Sequence, residues 1–87
     1  MYKLPPLTSI RAFEAAGRLL SFSRAADELS VTHGAVSHQI KALEEWVGVP
    51  LFRRLGKSIA LTDQGRLYLD SISPALAAIA SASRSIS

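Results

Sequence analysis

Between Thr32 and Pro50 the chain reads as one capped helix and little else. Thr32 offers a hydroxyl oxygen to the free N–H groups of a first turn. Val36, Ile40, Leu43 and Val47 then recur at spacings of four, three and four, which is one apolar face. Gly48 can take the left-handed cap and Pro50 prevents continuation. Upstream, Ser23 reads as the N-cap of a short helix with Ala25, Ala26 and Leu29 facing inward, small residues that let another helix come close. Ser30-Val31 reads as a tight turn with an apolar plug. A short helix, a tight turn and a capped amphipathic helix make a helix-turn-helix.

The rest of the chain supports that unit. Pro5-Pro6 is extended, and Thr8 reads as the N-cap of a helix with Ile10, Phe13, Ala16 and Leu20 on one face. Arg11, Glu14 and Arg18 lie opposite. Phe52-Arg53-Arg54 and Ser58-Ile59-Ala60-Leu61 flank a Leu55-Gly56-Lys57 turn, a two-stranded hairpin that must pack on the helices to be stable. Thr62 caps a last helix, with Asp63 near its positive end. Leu69, Ile72, Leu76, Ile79 and Ile86 alternate at three and four, with Ser83 at the missing step, as a short heptad seam. Pro74 lies off the seam and is expected to kink or weaken the helix. The expected fold is mainly α: a winged helix-turn-helix over residues 1–61, with a two-stranded β wing, followed by a long helix over 62–87 for dimerisation.

Composition narrows the function. At 87 residues and 48% hydrophobic, the chain holds more apolar material than one small core needs. Much of the surplus lies in the last helix, where Arg84 is the only charge from Ser71 onward. With no Cys, disulfides, thiolate metal sites and cysteine nucleophiles are excluded. No apolar run approaches the roughly 20 residues a membrane span needs. The first residues lack a signal-peptide pattern, so a cytoplasmic location is expected.

The charges are uneven. Between Glu28 and Asp63 the only acids are Glu44 and Glu45, against Lys41, Arg53, Arg54 and Lys57. The outer face of the Thr32 helix carries His33, Gly34, Ser37, His38 and Lys41, none acidic. Thr32 and Ser37 can donate to phosphate oxygens, while His33, His38 and Gln39 can match base edges. Gly34, lacking a side chain, permits close approach of the backbone. Arg53, Arg54 and Lys57 make a basic wing, although Arg53 and Arg54 alternate in direction and at most one faces DNA squarely. Glu44 and Glu45 read as solvated helix surface or local pairs, and Trp46 as packing.

Catalytic and metal readings fare poorly. His33 and His38 are about 140° apart around a helix and lack a third ligand. Ser37-His38 has no orienting acid, and Glu44-Glu45 cannot flank a scissile bond. No glycine-rich phosphate loop is evident. No catalytic residue, metal or cofactor is expected.

Three blocks resemble the DNA-binding domain of LysR-type transcriptional regulators. They are Ala25-Ala26-x-x-Leu29-Ser30-Val31-Thr32-x-x-Ala35-Val36-Ser37-x-Gln39-Ile40-Lys41-x-Leu43-Glu44, Gly48-Val49-Pro50-Leu51-Phe52-x-Arg54, and Leu61-Thr62-x-x-Gly65. Pro5-Pro6-Leu7 and the run Leu20-Ser21-Phe22-Ser23-Arg24-Ala25-Ala26 resemble the branch that holds the glycine-cleavage activator and the β-lactamase regulator. The resemblance implies that Thr32, His33, Gly34, Ser37, His38 and Lys41 face DNA and that Lys57 is a wing contact. Ser23, Arg53 and Arg54 complete the candidate DNA-binding set. Many members carry Gln at the His33 position, Pro or Ser at Gly34 and Arg at His38, so base preference is expected to differ here. The resemblance also implies an effector-sensing domain beyond this chain, through which any effector would act.

The expectation is therefore sequence-specific binding of double-stranded DNA at an inverted repeat. The partner copy would dock through Leu69, Ile72, Leu76, Ile79 and Ile86, giving a homodimer, or a tetramer in an intact protein. The alternative is a helical dimerisation module without sequence-specific DNA binding, with RNA binding a third reading.

Overall fold

The computed structural model describes residues 2–87 as four helices and one antiparallel hairpin. The order is α1 (Leu7–Leu19), α2 (Phe22–Leu29), α3 (His33–Val47), β1 (Phe52–Leu55), β2 (Ser58–Leu61) and α4 (Asp63–Ile86).

Helix α1 begins two residues earlier than an N-cap at Thr8 allows. Pro6 holds the N-cap position and its carbonyl accepts the N–H groups of Ser9 and Ile10 at 3.0 and 3.2 Å. Its ring presets the dihedral that a helix start requires. Leu20 was expected on the inner face; it ends the helix in the left-handed region at φ 51° and turns outward, half exposed.

The cap of α2 is Ser21 and not Ser23: Ser21 Oγ accepts the Arg24 N–H at 3.1 Å. Phe22 must enter the core from the first helical position, which moves the cap one residue ahead of it. The helix ends in a Schellman motif. Ser30 is left-handed at φ 57°, the Val31 N–H reaches Ala26 O at 3.0 Å and the Ser30 N–H reaches Asp27 O at 3.3 Å. Val31 is 47% exposed, so it is no buried plug. The turn is held by backbone hydrogen bonds.

Helix α3 follows the sequence closely. Thr32 Oγ1 accepts the Ala35 N–H at 3.0 Å, Val36, Ile40 and Leu43 are buried, and Gly48 ends the helix at φ 81°. Strands β1 and β2 pair from Phe52 with Leu61 to Leu55 with Ser58. Gly56 supplies the positive φ, 65°, that a two-residue hairpin turn needs at its first position. Thr62 Oγ1 caps α4 by accepting the Gly65 N–H at 3.0 Å, and it donates to Pro50 O at 2.8 Å.

The core has two adjoining parts. Alanines 12, 15, 16, 25 and 26 let α1 and α2 approach closely, and Phe22, Val36 and Ile40 fill the space against them. The second part gathers Ile10, Phe13, Leu43, Leu51 and Leu69. Phe52 spans both, with its ring 5.6 Å from Phe13 and 5.4 Å from Phe22, both edge-on. On the surface, Arg18 binds Glu14 and Glu28. Its hydrogen bond holds the Glu28 carboxyl below the usual carboxylate range.

Helix α4 runs unbroken through Pro74. Its first half belongs to the core: Gly65 and Leu69 are buried, and Ile72 and Leu76 pack partly against the second cluster. From Ala77 onward every residue is exposed, with Ile79 at 54% and Ile86 at 90%. Leu69, expected on the dimer seam, is thus already covered by its own domain. Leu67 is exposed.

Candidate nucleic-acid interface

Helix α3 presents Gly34, Ser37, His38 and Lys41 within an arc of about 100°, and His33 borders that arc. His33, Gly34, His38 and Lys41 are exposed and Ser37 is half-buried. Thr32 is exposed at the helix start, its oxygen engaged as the cap. Gly34 has an ordinary negative φ, and a Cβ there would meet nothing within 4 Å. Neither backbone geometry nor packing calls for glycine at this position.

Gln39 does not join the reading face. Its Oε1 accepts the hydroxyl of fully buried Ser9 at 2.7 Å, which fastens α3 to α1. The expectation that it matches base edges is corrected: a residue held on the α1 side of α3 cannot also face a groove on the other.

Two open clefts separate α3 from the wing. Ser23, His33, Arg54 and Lys57 border the first, of about 240 Å³. Ser37, Lys41, Glu44 and Arg54 border the second, of about 300 Å³. Arg54 lines both. Its guanidinium carbon lies 5.4 Å from the centroid of the Phe22 ring, a cation–π contact worth about 0.5–1 kcal/mol at an exposed site. The His33 ring lies edge-on to Phe22, 6.1 Å between centroids. Phe22 is thus a platform that gathers a wing cation and the first residue of α3. Arg53 lines neither cleft, as strand alternation requires.

Two features were misread in the sequence. Trp46 is 51% exposed and is not a core residue. Glu44 is half-buried, and its Oε2 accepts the N–H groups of Leu51 and Phe52 at 2.7 and 3.2 Å. The signal for Glu44 was the Gly48–Pro50 turn, which folds the chain back to within reach of the helix just left. Among the described residues no cluster of three metal-ligating side chains occurs, and no helix is long and apolar enough to cross a membrane.

Residues 7–66 match the family of bacterial regulatory helix-turn-helix proteins, lysR family. The chain belongs to the lysR family. It is 49% identical over 84 residues to the glycine cleavage system transcriptional activator of Escherichia coli K12, covering 97% of this chain and 28% of that protein. It is 58% identical over 64 residues to the transcriptional activator AmpR of Pseudomonas aeruginosa, covering 74% of this chain and 22% of that protein. The chain therefore spans about a quarter of the length of these lysR-family relatives. Among solved structures, it superposes on the BenM DNA-binding domain in complex with catB site 1 DNA. The TM-score is 0.86 at 27% identity, covering 93% of this chain and 90% of that one. It also superposes on the CbnR DNA-binding domain in complex with DNA, with TM-score 0.80 at 30% identity, covering 92% of this chain and 93% of that one. The fold of this lysR-family chain is thus that of the winged-helix DNA-binding domains.

Proposed function

We propose that this chain is the DNA-binding part of a bacterial, cytoplasmic LysR-type transcription regulator, without catalytic activity of its own. Helix α3 enters the major groove and reads bases with His33, Ser37, His38 and Lys41, while Gly34 lets its backbone come close. Arg54 and Lys57 on the wing, with Ser23 at the start of α2 and Thr32 at the start of α3, hold flanking phosphates. Arg53 is left to more distant backbone contact. Two copies join through the exposed part of α4, so two reading helices meet an inverted repeat with half-sites about one helical turn apart. An effector, where one is sensed, acts through parts of the protein beyond this chain.

The observation that carries the reading is the convergence of His33 and the wing cations Arg54 and Lys57 on one cleft, with Arg54 stacked over the Phe22 ring. The net charge of the chain, +3, is mild, so the local arrangement matters more than the total. Titrating an inverted-repeat duplex and a scrambled duplex across several salt concentrations tests it. Specific binding appears as a tighter complex with the repeat, and phosphate contact as a steep fall with salt. Equal weak binding to both duplexes contradicts sequence-specific recognition. No binding even at low salt leaves the dimerising helical module as the better account.

The side-chain roles separate in the same assay. Lys57→Ala is expected to weaken binding to all sequences alike and to reduce the salt slope by about one. His33→Ala is expected to change base preference, at about 1–3 kcal/mol for the position it reads. Uniform losses from both variants would show that direct readout has been assigned to the wrong residue.

A further inference from the structure

We infer that Glu44 is a positioning residue, which locks the wing to the reading helix so that the wing cations meet phosphate. The inference rests on the DNA reading above and assigns to it a part that no basic residue performs.

The chain leaves α3 at Val47, turns through Gly48, Val49 and Pro50, and enters β1 at Phe52. Glu44 holds both ends of that turn. Its backbone oxygen accepts the Gly48 N–H at 2.8 Å, and its side-chain Oε2 accepts the N–H groups of Leu51 and Phe52. On the other side, the Thr62 N–H binds Leu51 O at 3.0 Å and Thr62 Oγ1 donates to Pro50 O, fastening the base of the hairpin to α4. The wing is thus held by two clamps, and Glu44 supplies the one on the reading helix. From Phe52, Arg54 lies two residues along the same face of the strand, over the Phe22 ring. Lys57 follows in the turn.

The charge makes the assignment testable. Glu44 borders the cleft it shares with Lys41 and Arg54, and among the described residues its carboxylate makes no ion pair. A carboxylate beside a surface that receives a polyanion opposes binding by its charge alone. Two N–H donors on one charged oxygen make strong hydrogen bonds, which explains an acid here. Charge alone predicts that removing the acid raises DNA affinity, whereas positioning predicts that it lowers it.

The test measures binding of the inverted-repeat and scrambled duplexes by the wild type, Glu44→Ala, Glu44→Gln, Lys57→Ala and the Glu44→Ala/Lys57→Ala double variant across salt. Glu44→Ala is expected to lose about tenfold in affinity, and its salt slope to become shallower by about one contact. Its preference for the repeat over the scrambled duplex is expected to persist. Lys57→Ala is expected to lose severalfold less in the Glu44→Ala background than in the wild type. Glu44→Gln keeps an acceptor oxygen and is expected to recover most of the affinity. Higher affinity in Glu44→Ala, an unchanged salt slope, or an additive double variant would overturn the inference. An unchanged slope with fewer active molecules would mean general destabilisation. If Lys57→Ala is silent in the wild type, the wing contact itself is wrong and the role of Glu44 falls with it.

Discussion

Gly65→Ala is expected to destabilise the fold by about 3 kcal/mol or more, at the upper end of what overpacking costs. A Cβ at Gly65 would lie 2.1 Å from the carbonyl oxygen of Leu51 and 3.0 Å from its carbon. Those atoms are backbone, so no rotamer change relieves the clash. The approach is enforced from both sides: Thr62 Oγ1 holds the Gly65 N–H, and the Thr62 N–H holds Leu51 O. Separating them would open the base of the wing and disturb Leu51, which is 1% exposed. For a domain whose total stability is of the order of 5–15 kcal/mol, this is a large fraction. Two other glycines serve as internal controls. At Gly17 a Cβ meets Leu69 Cδ2 at 3.1 Å, a side-chain atom with some freedom to move, so Gly17→Ala is expected to cost less. At Gly34 nothing lies within 4 Å, and alanine is the better helix former, so Gly34→Ala is expected to match or exceed the wild type. Urea melts of the three variants check this order. A wild-type midpoint for Gly65→Ala would disprove the close approach of α4 to the wing.

Ile79→Asp is expected to shift the chain to monomer and to weaken binding to a full inverted repeat by about a hundredfold or more. Linked half-site binding commonly gains factors of that size without any new contact to DNA. Ile79 is 54% exposed and packs against neither core cluster, so the monomer fold should be unaffected. A charge there meets solvent in the monomer but would be desolvated in a dimer. Sedimentation reads the mass, thermal melting confirms the fold, and titration of a single half-site separates lost dimerisation from lost reading. An unchanged mass would place the interface elsewhere.

The apolar surplus of the sequence is accounted for only in part by a dimer seam. Leu69 is in the core and Ile72 and Leu76 pack partly on it, because the first half of α4 closes the domain. Heptad spacing puts Leu69, Ile72 and Leu76 on one face of α4, but it does not say whether the covering surface is the same chain or a second copy. The same limit explains the other differences. Thr32, Gly48 and Thr62 were legible because a cap acts within four residues. Ser21 displaced Ser23 because the buried position of Phe22 decides where α2 starts, and burial depends on α1 and the wing. Gln39 looks like a base-reading residue and Glu44 like a solvated one until their partners are in place. Those partners are Ser9 and the Leu51-Phe52 backbone, the first 30 residues distant in sequence. Trp46 lies about 90° from the centre of the α3 apolar stripe, so its exposure follows the helix period.

Selection of bound duplexes from a random-sequence pool decides whether α3 reads bases. The wild-type chain is expected to enrich imperfect inverted repeats whose half-sites are about one helical turn apart. A pool that stays random after successive rounds, while binding remains salt-sensitive, would contradict base reading by α3 and reduce this surface to a phosphate-binding one.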